Sequence, residues 1–369
     1  MSARIRPDIL VCPVSKLPLT PCALHEAESC VCPGKHLATR EADRVPFSAP
    51  SIMVLLRADQ ACAYPIIDGI PILMAPEMLL PADAPRSFDV SAEPYREAYE
   101  ELDYYNAVAE EEDRALESSS GVAALESLRS LSPEERYTFP SPRNVALDAV
   151  YDSAAQWDAY AHLAPLEGKR TLQLGGKGSH AVKFLLAGAA EAWVLSPMLG
   201  EIKYALALGR LLGVDDRLFG VVGISEELPF KDASFDAVYS GGCVHHMVTE
   251  LALPECARVL NDAGRFSAVD PWRTPLYALG TAILGKRERD VNCRPLTDAR
   301  VRPFFETFQS ARILHHGTLT RYPLLALEKL GISSSLELVW YLNTIDDALC
   351  SVVPPLRRSG SSVALLAEK

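Results

Sequence analysis

The stretch Glu226-Glu227-Leu228-Pro229-Phe230-Lys231-Asp232-Ala233-Ser234-Phe235-Asp236-Ala237-Val238-Tyr239-Ser240 reads as a turn, Leu228-Pro229-Phe230, feeding a short apolar strand, Phe235–Tyr239. Val244-His245-His246-Met247 follows, and then Ala257-Arg258-Val259-Leu260-Asn261-Asp262-Ala263-Gly264-Arg265 leads into another apolar run. Working outward, strands are predicted at Arg170–Leu174, Ala192–Leu195, Leu218–Val222, Phe235–Tyr239, Arg265–Val269, Ala311–His315 and Ser362–Ala367. Helical patterns lie between most of them, at His180–Ala187, Gly200–Leu212, Thr249–Leu260 and Pro275–Leu284. Strands alternating with helices imply βα units and a mainly parallel sheet covered on both faces, with ligands held outside the carboxyl ends of the strands. The first strand ends in Leu174-Gly175-Gly176-Lys177-Gly178-Ser179-His180 and runs directly into a helix. Glycines there let the backbone turn sharply and approach a ligand, and the helix start offers free N–H groups.

The 369 residues exceed one ordinary domain, and three segments differ in texture: 1–80, 81–165 and 166–369. With 49% hydrophobic and 23% charged residues the chain has material for a sizeable core. A net charge of -12 repels phosphate backbones and anionic lipid, so nucleic acid is read as a disfavoured partner. No apolar run is long enough to span a membrane, and Met1–Arg6 lacks a signal-peptide core, which gives a cytoplasmic expectation. Pro81-Ala82-Asp83-Ala84-Pro85 reads as a linker into an acidic helical stretch in which Tyr95, Ala98, Leu102 and Tyr105 recur at helical spacing, a lid-like segment.

The ordered set from Leu228-Pro229-Phe230 to Arg265 resembles the class I S-adenosylmethionine (SAM)-dependent methyltransferases of the small-molecule type. The resemblance implies an α/β, Rossmann-like seven-stranded sheet with helices on both faces and a last strand, Ser362–Ala367, inserted antiparallel. It also implies positions for the cofactor SAM. Leu174, Gly175, Gly176 and Gly178 would lie against its methionine part, Ser196 would face the ribose, and Ile224, Ser225 and Glu226 would border the adenine. Ser240 and Gly241, with Gly242, would lie under the transferable methyl group.

Three positions depart from that pattern: Gln173 and Ser196 stand where acidic residues are usual, and Ile224 where Asp is frequent. Each loss removes a charge-assisted hydrogen bond worth roughly 1.5 to 3 kcal/mol. Glu201, one helical turn beyond Ser196, is the best replacement ribose acceptor, with Ser225 and Glu226 as further substitutes.

Methyl transfer needs an oriented acceptor and, for many acceptors, a group that takes a proton. His245 and His246 after the fourth strand and Asp270 after the fifth are the catalytic candidates; His180, His315 and His316 also fall near the pocket mouth. Trp272, Tyr277, Phe304, Phe305, Tyr322 and Trp340 are aromatic candidates for an apolar acceptor pocket, or for core.

At the other end, Ile9-Leu10-Val11-Cys12-Pro13-Val14-Ser15 and Cys62-Ala63-Tyr64-Pro65-Ile66-Ile67-Asp68-Gly69-Ile70-Pro71-Ile72-Leu73 resemble the small α+β zinc-ribbon-like domain of the tRNA-methyltransferase activator family. Ser15 stands where that family has its second cysteine. A structural zinc would draw on Cys12, Cys30, Cys32 and Cys62, with Cys22 or His36 as substitutes; the rival is a ribbon held by apolar packing. The leading expectation is methyl transfer to a small-molecule substrate, with a homodimer as a candidate assembly. The alternatives are a methyltransferase fold with lost or altered chemistry serving as ligand-binding or assembly subunit, and a tRNA- or protein-modifying methyltransferase.

Overall fold

In a computed structural model of the chain, the structure describes residues 5–23, 53–59, 63–74, 98, 107–109, 111–114, 116, 120–145, 147–274, 294–332 and 334–369. Strands β1 (Leu19–Ala23), β2 (Met53–Arg57), β3 (Ala63–Ile67) and β4 (Ile70–Pro71) form an antiparallel sheet in that order. Asp68 and Gly69 close the last hairpin with φ of 52° and 81°. A two-residue turn with both φ positive matches strand twist, and Asp-Gly is the pair that tolerates it.

Helices α1 (Ser120–Arg129) and α2 (Ser153–Leu163) precede the larger sheet. Its chain order is β5 (Arg170–Leu174), α3 (Ser179–Leu186), β6 (Glu191–Ser196), α4 (Leu199–Leu211), β7 (Leu218–Val222), β8 (Phe235–Gly241), α5 (Thr249–Val259), β9 (Leu260–Pro271), α6 (Arg302–Thr307), β10 (Ser310–His316), α7 (Arg321–Lys329), α8 (Leu336–Val352) and β11 (Ser362–Glu368). The spatial order is β10-β11-β9-β8-β5-β6-β7. Strands β5 to β9 pair parallel, and β11 lies antiparallel between β9 and β10. This is the Rossmann-like class I arrangement expected from the sequence, with all seven strands where the apolar runs placed them. Strand β9 starts earlier than predicted because Leu260 already pairs with Phe235, and a register shift then absorbs the turn before Arg265. The predicted helix Pro275–Leu284 lies outside the described residues, as do Pro81–Pro85, Tyr95, Leu102 and Tyr105.

Alternation along the strands sends side chains to two cores. On one face α2, α3 and α4 pack over Val194, Tyr239 and Leu366. On the other, α5 and α6 cover Phe266, Val238 and Leu365, whereas the β6–β7 end is covered by the N-terminal sheet. There Leu10, Leu55 and Tyr64 pack with Trp193, Phe219 and Phe230. Only a 3-10 turn, Ser225–Glu227, lies between β7 and β8, so no helix is available for that quarter of the sheet. Polar ties fix the docking: Arg6 to Glu191 at 2.6 Å, Lys16 to Glu255 at 2.6 Å, and a parallel bridge of Ile72 with Val222.

Cys12 is buried, but its sulfur lies 3.2 Å from the Tyr64 hydroxyl and accepts from the Ser15 amide at 3.4 Å and Arg57 at 3.8 Å. Among the described residues no group of three His, Cys, Asp or Glu is placed to hold a metal. Cys30, Cys32, Cys62 and His36 lie outside the described residues. No helix among the described residues is long and apolar enough to cross a membrane.

Candidate functional site

A pocket opens at the carboxyl ends of β5, β6 and β8. Of the sequence-derived positions, Gly175, Gly176, Ser196, Glu201, Ile224, Ser225, Glu226 and His246 line it. Leu174 is instead core, Gly178 packs on α4, Ser240 is fully buried, and Gly241 faces a neighbouring cavity. Residues that motif reading passed over complete the wall: Ala98, Pro197, Met198, Cys243 and Met247. Ala98 belongs to the acidic helical stretch; for the others the signal was adjacency to a strand end.

The glycine turn requires glycine. Gly175, Gly176 and Gly178 have φ of 70°, 72° and 80°, a region L side chains avoid. A Cβ on Gly175 would collide with the Cys243 side chain, and one on Gly178 would sit 2.5 Å from Cβ of Ala205. A Cβ on Gly176 would meet Gln173 Nε2 at an ordinary 3.5 Å contact, and this residue lines the pocket. Gln173 works inside the turn: its Nε2 donates to Gly175 O at 2.8 Å, and its Oε1 accepts from Ala181 N at 2.8 Å. An amide does both jobs, whereas a carboxylate could only accept.

Ser196 and Glu201 meet. Ser196 Oγ donates to Glu201 Oε2 at 2.7 Å and accepts from Met198 N at 3.1 Å. Glu201 is 7% exposed; burial pushes its pKa up, against the hydrogen bonds of Ser196 and the Gly176 backbone. An acidic side chain thus stands at the pocket wall beside the end of β6, carried there by the first turn of α4. Glu226 accepts from Val248 N at 2.8 Å, which joins the far wall to the start of α5.

The adjacent histidines diverge. His245 turns inward: its Nδ1 lies 2.7 Å from Asp270 Oδ1, which also accepts the His245 amide at 3.0 Å. Burial holds the His245 pKa down, against the Asp270 hydrogen bond, so the ring is neutral and its Nδ1–H donates to the carboxylate. Arg300 clamps the same turn by donating to the carbonyls of His245 and Met247, each at 3.0 Å. His246, between those carbonyls, is presented to the pocket. Asp270 therefore sits behind the turn and not in the cavity wall. Of the other candidates, His315 stacks edge-on with Trp272, His316 pairs with Asp158 at 2.8 Å, and Phe304 is core.

Residues 172–268 match the family described as methyltransferase domain. This part of the chain is a class I methyltransferase domain. The tRNA U34 carboxymethyltransferase of Serratia proteamaculans is 33% identical over 147 residues, 39% of this chain and 45% of that protein. The 27-O-demethylrifamycin SV methyltransferase of Amycolatopsis mediterranei is 32% identical over 137 residues, 36% of this chain and 50% of that one. Among solved structures, geranyl diphosphate C-methyltransferase from Streptomyces coelicolor superposes with a TM-score of 0.44 at 16% identity, covering 58% of this chain and 75% of that one. The chain spans about half the length of the curated relatives it matches.

One expectation needs correcting. Net charge pointed away from nucleic acid, yet the Serratia relative and others from Sodalis glossinidius and Photobacterium profundum are tRNA U34 carboxymethyltransferases, so that exclusion falls. Net charge is a sum, and here the sum is lopsided. Residues 93–135 hold thirteen Asp and Glu against three Arg, or -10 of the chain's -12. The methyltransferase domain itself is far closer to neutral than the total suggests, so the total does not report the field at its surface.

Proposed function

We propose that this chain is a SAM-dependent methyltransferase whose acceptor lies in tRNA. The observation that carries the cofactor half is the buried Glu201 carboxylate, joined to Ser196 and Gly176 at the wall of a glycine-cradled pocket. Residues Gly175, Gly176, Ser196, Glu201 and Ile224 would hold the cofactor, which supplies an electrophilic methyl on a cationic sulfur. The acceptor half is supported by the tRNA-modifying relatives.

The protein's own task is positioning and proton handling. Asp270 fixes the His245 ring, Arg300 and Asp270 both grip the turn, and His246 is thereby held where it takes the proton lost by the acceptor. Incubation with methyl-tritiated SAM and bulk tRNA tests the reading. Label in nuclease-sensitive material, lost in His246→Ala, is expected. The rifamycin-modifying relative supports a second reading, a small-molecule hydroxyl acceptor. Label that enters such hydroxyls and never tRNA would replace the first reading with the second.

A further inference from the structure

Next to the cofactor pocket lies a second cavity, between the glycine turn and α1. Val122 and Leu125 of α1, Leu147, Tyr204, His180 and Gly241 are among its walls. Gly176 is common to both cavities, while Gly241 lines this one and Gly242 the other, so the two meet at the end of β8. Its walls are apolar at Val122, Leu125, Leu147 and Leu208; the polar side chains of Gln173, Lys177 and Lys183 that also line it are engaged by the glycine turn, Glu112 and Asp148, and His180 stands beside them.

The orientation comes from a buried chain of hydrogen bonds. Tyr160 OH donates to Asp148 Oδ2 at 3.0 Å and lies 2.6 Å from His180 Nδ1, while Lys183 donates to Asp148 Oδ1 at 2.5 Å. Among the described residues, Tyr160 is the donor that reaches Asp148 Oδ2. Were the phenol proton turned to His180 instead, phenol and carboxylate oxygens would face one another at 3.0 Å with no proton between them. The phenol proton therefore belongs to Asp148, Nδ1 of His180 carries the hydrogen, and Nε2 keeps its lone pair. Nε2 is the atom nearest the missing side chain of Gly241: a Cβ there would come within 2.8 Å of it. The side chain keeps 15% of its surface and lines the cavity.

We propose that this second cavity seats the acceptor, a planar nucleobase whose N–H donates to Nε2 of His180 while its faces rest on the apolar walls. The proposal rests on the tRNA reading above. It follows from what a base-modifying site requires: a base taken out of its stack is read by hydrogen bonds to its edge and by contact with its faces. Burial holds the His180 pKa at about 4, so near neutral pH the ring is an acceptor and not a cation. That assigns it orientation of the base, leaving proton uptake to His246.

The test uses the full chain with nitrogen-15 histidine, saturated with S-adenosylhomocysteine, and titrated in turn with uridine, cytidine, adenosine and guanosine. One nucleoside should shift the His180 Nε2 resonance saturably. His180→Ala should weaken that nucleoside at least tenfold while S-adenosylhomocysteine affinity stays within twofold. Leu125→Trp, which fills the cavity from α1 and leaves the buried chain of bonds intact, should do the same. The proposal is overturned if no nucleoside moves the His180 resonance, or if both variants bind it as the parent does. It is equally overturned if His180→Ala weakens S-adenosylhomocysteine instead, since the cofactor's methionine end would then occupy the cavity. Failure of the wider reading looks different: nucleosides seat on His180, yet no label reaches tRNA. Conversely, tRNA labelled at the parent rate by both variants sinks the seat alone.

Discussion

Replacing Glu201 by glutamine should separate binding from stability. The substitution keeps shape and leaves an oxygen to accept from Ser196 and Gly176, but removes the charge. On the proposed reading, the ribose hydroxyls of the cofactor donate to this carboxylate. Charge-assisted bonds are about twice as strong as neutral ones, and hydrogen bonds to charged groups are worth roughly 1.5 to 3 kcal/mol. Losing the charge under two hydroxyls should then cost about 1.5 to 3 kcal/mol, or roughly 10- to 150-fold in affinity. Stability should move the other way. The folded protein raises the Glu201 pKa, chiefly by burial, so the native state binds more protons than the unfolded one between the two pKa values. Stability therefore falls as pH rises through that window, and above it the full cost of the buried charge is present. Glutamine removes that cost. Calorimetric titration with S-adenosylhomocysteine and thermal unfolding at pH 7 read the two effects. The expected result is weak binding with Tm unchanged or raised, and parent affinity that declines on acidification while the variant's does not. Affinity within threefold of the parent, or binding and Tm lost together, would refute the assignment.

Three further predictions concern the machinery around that wall. Gly175→Ala forces a side chain onto φ of 70° and into Cys243, so denaturant unfolding should show a loss of about 1 to 3 kcal/mol, partly restored when Cys243→Ala is added. Asp148→Ala strands the buried Lys183 without its carboxylate and should cost about 3 to 5 kcal/mol; an unfolding midpoint equal to the parent's would contradict the ion pair. His246→Ala should lower turnover by roughly 10²- to 10⁴-fold with S-adenosylhomocysteine binding intact, whereas loss of affinity in place of turnover would make it a wall residue only.

The seven strands of the larger sheet were legible in the sequence because each is a local apolar run bounded by turn chemistry, and local patterns survive whatever the rest of the chain does. The Asp68-Gly69 hairpin and the glycine turn were legible for the same reason: a positive φ names its residue. The choice of Glu201 as a replacement acceptor also came from a local period, one turn of helix; its contact with Ser196 is seen only in the structure. Other features depended on contacts distant in sequence. Gln173 reads as a lost acid until Gly175 and Ala181 fold around its amide. His245 and His246 are indistinguishable as letters; Asp270 and Arg300, 25 and 55 residues away from His245, decide which of them faces the pocket. The N-terminal sheet replaces a helix on the β6–β7 quarter because Leu10 and Tyr64 find Trp193 and Phe230, a match no period encodes. Charge is the instructive failure. A sum over the chain carries no position, and only position tells a phosphate what it would meet.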